Sequence, residues 1–165
     1  MSRKYLNDRW CARCGRKEPT PYLRKHIDEL INFEGAKVLD IGCGNGRNSI
    51  FMTEHGYDVT SLDMCNDFGT KIILGKDPFP KDKYDIILAN YILMFLNEKE
   101  RSQVYKEINK NSHVGTMFVV EMYAAKDANK YDLDDMVKTF KTMGWTVNHK
   151  IKDKFIMSKE VVGKK

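Results

Sequence analysis

The sequence predicts an α/β chain folded as a three-layer sandwich around a mostly parallel, seven-stranded sheet with an antiparallel edge strand. Three observations predict it. Strand-like and helix-like patterns alternate after residue 36. Tyr84–Asn90 (YDIILAN) is a largely apolar run, as expected of a central parallel strand buried on both faces. Two further strand patterns, Trp145–His149 and Lys154–Glu160, are joined by a polar turn and suit an antiparallel edge.

The elements follow in order. Thr20 can cap a helix, Pro21 suits its first position, and Leu23, Ile27, Leu30 and Ile31 mark its apolar face. Lys37–Ile41 reads as the first strand. A helix from Gly46 to His55 follows, closed by Gly56, and Tyr57–Leu62 is the second strand. Lys71–Leu74 reads as the third. The region between strands two and four is short, leaving no room for a helix between Asp63 and strand three. After strand four, Asn97 and Glu100 form a capping pair for a helix to Lys110, with Val104 and Ile108 facing inward. Gly115 turns the chain into strand five, Thr116–Met122. Leu133, Met136, Val137 and Phe140 recur at helical spacing, and Gly144 ends that helix.

The length of 165 residues suits one domain, residues 1–165, with 1–34 as an N-terminal lid or helix segment. With 42% hydrophobic residues the chain can build a core. No apolar run approaches the about 20 residues that cross a membrane, and the first residues lack the apolar stretch of a secretory signal. A cytoplasmic protein with no membrane partner is the expectation. The net charge of +5 admits two readings, a solvated lysine surface and a nucleic-acid footprint; interspersed acids favour the first. Cys11-x-x-Cys14 has the spacing of half a zinc site or a redox pair. No second pair completes four ligands, so no metal is expected and ordinary reduced thiols are the simpler reading.

The informative segment is Val38–Gly46. An apolar strand ends in Asp40 and runs into Gly42, Cys43, Gly44, Asn45 and Gly46, after which a helix begins. Glycines permit positive φ and close backbone approach, and the helix start offers unpaired N–H groups. The spacing also occurs in nicotinamide-binding folds. A carboxylate beside a pyrophosphate would be repelled, however, whereas one near an ammonium is attracted. Asp40 therefore favours a ligand with a cationic end and no phosphates.

Val38–Gly46 resembles the first motif of the class I S-adenosylmethionine-dependent methyltransferases. Leu39–Ser49, followed by His55–Val59 and later by Tyr84–Leu88 and Leu93–Leu96, is similar to the tellurite-resistance methyltransferases. The resemblance spans residues 19–125. It implies a Rossmann-like fold, S-adenosylmethionine as cofactor, and cofactor contacts from Asp40, Gly42, Cys43, Gly44, Asn45, Gly46 and Asn48. It also implies that Asp63 grips both ribose hydroxyls, since a carboxylate accepts two hydrogen bonds at once; a cap or turn role is the plainer alternative. Met64 would lie against the adenine. Asp77 would either accept from the adenine amino group or stabilise a turn. Asn90 and Tyr91, at the end of strand four, would face the methionine part.

The chain lacks the prolines that follow this asparagine in amino-directed DNA methyltransferases, and lacks the Pro-Cys of the cytosine class. The expected acceptor is a small soft nucleophile, such as a chalcogen oxyanion or thiol, methylated in line. The alternatives are an RNA or protein methyltransferase and a non-catalytic S-adenosylmethionine-binding protein. No catalytic base stands out, although Tyr91, His26 and Tyr123 could orient a substrate. Tyr5, Trp10, Arg13, Arg16 and Tyr22, with the Thr20–Leu23 segment, would form a lid or pack on the sheet edge.

Overall fold

The computed structural model describes residues 17–65, 68–122 and 133–161. Seven strands form one sheet: β1 (Lys37–Ile41), β2 (Asp58–Asp63), β3 (Thr70–Lys71), β4 (Tyr84–Asn90), β5 (Ser112–Glu121), β6 (Trp145–Ile151) and β7 (Lys154–Lys159). Their order is β3-β2-β1-β4-β5-β7-β6. Pairings from β3 through β5 are parallel. The last two strands form the antiparallel edge, with β7 inserted between β5 and β6.

Alternation along the strands creates two cores. Val38, Ile86, Leu88, Val119 and Ile156 point to one face, where α1 (Pro21–His26) contributes Tyr22 and Leu23, and α2 (Arg47–Glu54) contributes Met52. Leu39, Ile41, Ile87, Ala89, Phe118, Val120, Phe155 and Met157 point to the other. There α3 (Glu98–Lys110) supplies Val104, Tyr105 and Ile108, and α4 (Leu133–Thr142) supplies Leu133, Met136, Val137 and Phe140. Helix, sheet and helix make the three layers. Burial on both faces explains why β4 lacks polar alternation.

Several elements form as expected. Asn97 and Glu100 make a reciprocal capping box at the start of α3. Gly56 takes φ 87° just past α2, and Gly144 takes φ 84° past α4.

Other elements differ. Strand β3 ends at Lys71; beyond it the Ile72 amide still donates to Asp63 O at 2.8 Å, and the Ile73 amide donates to Asp77 Oδ2 at 2.6 Å. Ile72 and Leu74 are buried nonetheless. α1 ends at His26 and continues only as one 3₁₀ turn over residues 27–29. Thr20 makes no side-chain cap, because its hydroxyl is drawn to Glu121. β5 begins at Ser112, ahead of Gly115. A register shift between Tyr84 and Ile86 absorbs the extra length, with Thr116 Oγ1 donating to Tyr84 O and accepting from His113 N. No helix lies among the described residues between Asp63 and Thr70, which is the shortening expected.

Candidate cofactor and acceptor site

The site lies at the carboxyl ends of β1, β2, β4 and β5, where open parallel sheets bind ligands. Its base is the glycine loop. Gly42 and Cys43 N–H both donate to Leu62 O, at 2.7 and 3.0 Å, which pins the loop to the end of β2. Gly42, Gly44 and Gly46 all have positive φ. The reasons for glycine differ along the loop. A Cβ at Gly42 would stand 2.4 Å from Ile92, and one at Gly46 would strike the Phe68 ring at 2.5 Å. A Cβ at Gly44 would meet nothing within 4 Å among the described residues. Gly42 and Gly46 thus serve packing, while Gly44 borders open space.

Asp63 ties the loop to β2. Its Oδ2 accepts from Gly44 N at 2.9 Å and its Oδ1 from Cys65 N at 2.9 Å. A carboxylate has about four acceptor positions, so two remain for a ligand's hydroxyl pair. Asp40 lies beneath the loop, 1% exposed. Ser49 Oγ donates to its Oδ2 at 2.6 Å, and Ser61 Oγ donates to Ser49 Oγ at 2.8 Å. Burial raises the Asp40 carboxyl to about 6, against the hydrogen bond from Ser49, with the Asp63 charge pushing the same way as burial. Cys43 is a free buried thiol, pushed far up by burial and by Asp40 and Asp63, and is no nucleophile. Cys65 is disulfide-bonded.

The other expected residues divide. Asn45 Oδ1 accepts from Arg47 N at 3.3 Å within the loop. Asn48 is buried and its Oδ1 accepts from Thr20 N at 2.9 Å, fastening the segment before α1 to the start of α2. Met64 is half-buried beside Asp63. Asp77 is occupied by its own turn. His26 packs between the rings of Tyr22 and His149, with both centroid distances 4.5 Å. Tyr5, Trp10, Cys11, Arg13, Cys14, Arg16 and Tyr123 lie outside the described residues. Among the described residues, no group of three or more His, Cys, Asp or Glu is placed to hold a metal.

The structure adds a residue that sequence reasoning missed. Glu121 ends β5, is fully buried, and is the registered partner of Asn90. Asn90 Nδ2 donates to Glu121 Oε1 at 2.6 Å and to Thr20 Oγ1 at 3.1 Å. Thr20 Oγ1 also donates to Oε1, and Tyr91 Oη donates to Oε2 at 3.1 Å. Asn90 Oδ1 is buried without a partner among the described residues. Tyr91 holds a left-handed φ of 59°, with its N–H on Glu121 O at 2.7 Å. Such strain costs about 1–3 kcal/mol and gathers at functional sites. The available signal was an acid closing an apolar strand, VVE121.

Comparison with known proteins agrees with this geometry. Residues 18–77 match the family model of the tellurite resistance protein TehB. The chain has the class I S-adenosylmethionine-dependent methyltransferase fold and is similar to TehB. A probable S-adenosyl-L-methionine-dependent methyltransferase TehB of Haemophilus influenzae is 34% identical over 104 residues, covering 54% of this chain and 36% of that protein. The chain thus spans about a third of the length of that relative. The crystal structure of TehB from Haemophilus influenzae superposes with a TM-score of 0.72 at 16% identity, covering 95% of this chain and 66% of that one. A TehB-like methyltransferase from Corynebacterium glutamicum gives 0.69 at 20% identity, covering 82% and 86%. Among the described residues no helix is long and apolar enough to cross a membrane.

Proposed function

We propose that the chain is an S-adenosylmethionine-dependent methyltransferase acting on a small soft nucleophile, a thiol or chalcogen compound. The observation that carries this reading is the Asp63–Gly44 hydrogen bond beside the open space over Gly44. It sets a hydroxyl-accepting carboxylate against backbone that carries no side chain, which suits a nucleoside. Asn90 Oδ1, at the same end of the sheet and without a partner among the described residues, fits a ligand that brings a donor.

Asp63 would hold the ribose, Gly42–Gly46 would underlie the adenosyl group, and the buried Asp40 charge would attract the ammonium through the loop. When bound, the cofactor supplies a methyl already activated on a positive sulfur. The protein's work is then alignment: fixing nucleophile, methyl carbon and sulfur in line removes most of the entropic barrier. The TehB relatives support this reading through their shared motif and fold.

Titration calorimetry with S-adenosylhomocysteine tests the cofactor site, and an absence of binding heat overturns the reading. Incubation with methyl-labelled donor then tests the acceptor. Label in small thiols or chalcogen compounds supports the proposal, whereas label confined to RNA or protein, or binding without any transfer, overturns the acceptor assignment.

A further inference from the structure

We propose that Thr20 is a positioning residue of the site: it bridges the glycine-loop half to the tips of β4 and β5, and holds Asn90 for the amino-acid end of the cofactor. This rests on the methyltransferase reading above.

The bridge is a set of hydrogen bonds between segments far apart in the sequence. Thr20 N donates to Asn48 Oδ1 at 2.9 Å, across 28 residues. Its hydroxyl donates to Glu121 Oε1 and accepts from Asn90 Nδ2 at 3.1 Å. Asn48 belongs to the first turn of α2, directly after the glycine loop. Asn90 closes β4 and Glu121 closes β5. One residue thus touches three elements, and all four side chains are buried.

Those elements stand on two sides of a crevice. β1 and β4 are neighbours in the sheet, but the chain leaves β1 for α2 in one layer and leaves β4 for α3 in the other. Open α/β sheets bind ligands where the chain parts in this way. Thr20 crosses the gap with polar contacts. Ile92 crosses it with apolar ones, packed so closely on Gly42 that no Cβ fits there.

A nucleoside seated on Asp63, at the end of β2, lies two strands from β4. Neighbouring strands are about 4.8 Å apart, so the separation is about 10 Å. Only what the ligand carries beyond the ribose spans that distance. In S-adenosylmethionine this is the amino-acid end, a zwitterion that needs polar partners. The tip of β4 offers Asn90, whose Nδ2 is held by Thr20 and by Glu121 Oε1 at 2.6 Å. Fixing a polar side chain before the ligand arrives lowers the ordering cost of binding. Losing the Thr20 hydroxyl keeps the Asn90 link to Glu121, on its own side of the crevice, and removes the link across it. Thr20 is fully buried and acts through Asn90.

Titration calorimetry tests this with two ligands: S-adenosylhomocysteine, and 5′-methylthioadenosine, which keeps the nucleoside and sulfur but lacks the amino-acid end. Thr20→Val preserves the shape and the backbone bond to Asn48 while removing the hydroxyl. It should weaken S-adenosylhomocysteine binding by about tenfold, the effect of one buried hydrogen bond, and methylthioadenosine binding by less than about threefold. Thr20→Ser restores the hydroxyl and should return S-adenosylhomocysteine affinity to within about threefold of wild type. Asn48→Ala cuts the other end of the bridge, should repeat the difference between the ligands, and serves where Thr20→Val unfolds the protein. Equal losses for both ligands, or no loss for S-adenosylhomocysteine, overturn the proposal. So does a Thr20→Ser protein as weak as Thr20→Val. A wild type that binds methylthioadenosine as tightly as S-adenosylhomocysteine, or not at all while S-adenosylhomocysteine binds, removes the division into two halves; it overturns the proposal and leaves the cofactor site standing. A wild type that binds neither ligand overturns the methyltransferase reading itself.

Discussion

The Asp63 carboxylate holds the Gly44 N–H at 2.9 Å, so the glycine loop and the end of β2, 19 residues apart, are joined before any ligand arrives. Replacing Asp63 with Ala removes this link together with the charge-assisted bonds proposed to the ribose. Hydrogen bonds to charged groups contribute about 1.5–3 kcal/mol each, so affinity for S-adenosylhomocysteine should fall by at least about 100-fold. Gly44→Val should abolish binding differently, by filling the open space and straining a φ of 57°. Calorimetry on both variants, with circular dichroism to verify folding, measures this. Unchanged affinity in both would remove the site.

Asp40 makes two opposite pH predictions. Its carboxyl rises from the ordinary 3.8 to about 6 in the folded protein. The folded state therefore holds a proton that the unfolded state has lost between about pH 4 and pH 6. Its contribution to stability is fully present below pH 4 and declines as pH rises to about 6. Donor binding runs the other way, because the ammonium is attracted only by the ionised form. Affinity for S-adenosylmethionine should weaken as pH falls through about 6. Asp40→Asn should flatten both dependences relative to wild type, in thermal melts and in calorimetry respectively.

Gly42 is a packing requirement and should behave as one. A Cβ there stands 2.4 Å from Ile92 Cγ1, and its φ of 69° disfavours an L residue. Overpacking costs about 1–3 kcal/mol and left-handed backbone about 1–2 kcal/mol more. Gly42→Ala should therefore lower the melting temperature sharply. Adding Ile92→Ala should recover only part of the overpacking, because Ile92 Cβ itself stands 2.8 Å from the added atom and remains, and should leave the backbone part, a coupling that a double-mutant cycle reads directly.

Lys159 closes the far end of α3. Its ammonium donates to Asn109 O at 3.1 Å, Asn109 Oδ1 at 2.9 Å and Ser112 Oγ at 2.9 Å, while Lys83 donates to Lys110 O at 2.6 Å. Burial, reinforced by Lys83, lowers its ammonium below the usual lysine range. Lys159→Met keeps the stem and removes three hydrogen bonds, leaving Asn109 O with Ser112 Oγ and Asn109 Oδ1 with Trp145 Nε1 as their donors. Denaturant titration should show a loss of about 1–3 kcal/mol with cofactor affinity unchanged.

The features legible in the sequence were local ones. The parallel strands, the capping box at Asn97 and the glycine loop each follow from residues within a dozen positions of one another. The misses were decided at long range. Thr20 has the chemistry of a helix cap, but Glu121, 101 residues away, accepts its hydroxyl instead. Glu121 was invisible because its role depends on the β4–β5 register that sets it opposite Asn90. Asp77 answers to its own turn, accepting from the Ile73 amide, a local side-chain bond that spacing does not reveal.

The place of β7 bears on how the molecule is made. With β7 seated between β5 and β6, the sheet edge at β5 stays unpaired until residues 154–159 arrive, and that edge is the strand carrying Phe118, Val119 and Val120. A nascent chain ending anywhere before Lys154 presents an open apolar strand, the usual template for misassembly. Glu121, at the tip of that strand, cannot be shut away from water until the final hairpin has closed over it. Enclosure of Glu121 thus waits on the β6–β7 hairpin, and a lesion there would appear as aggregation during synthesis before it appeared as lost binding.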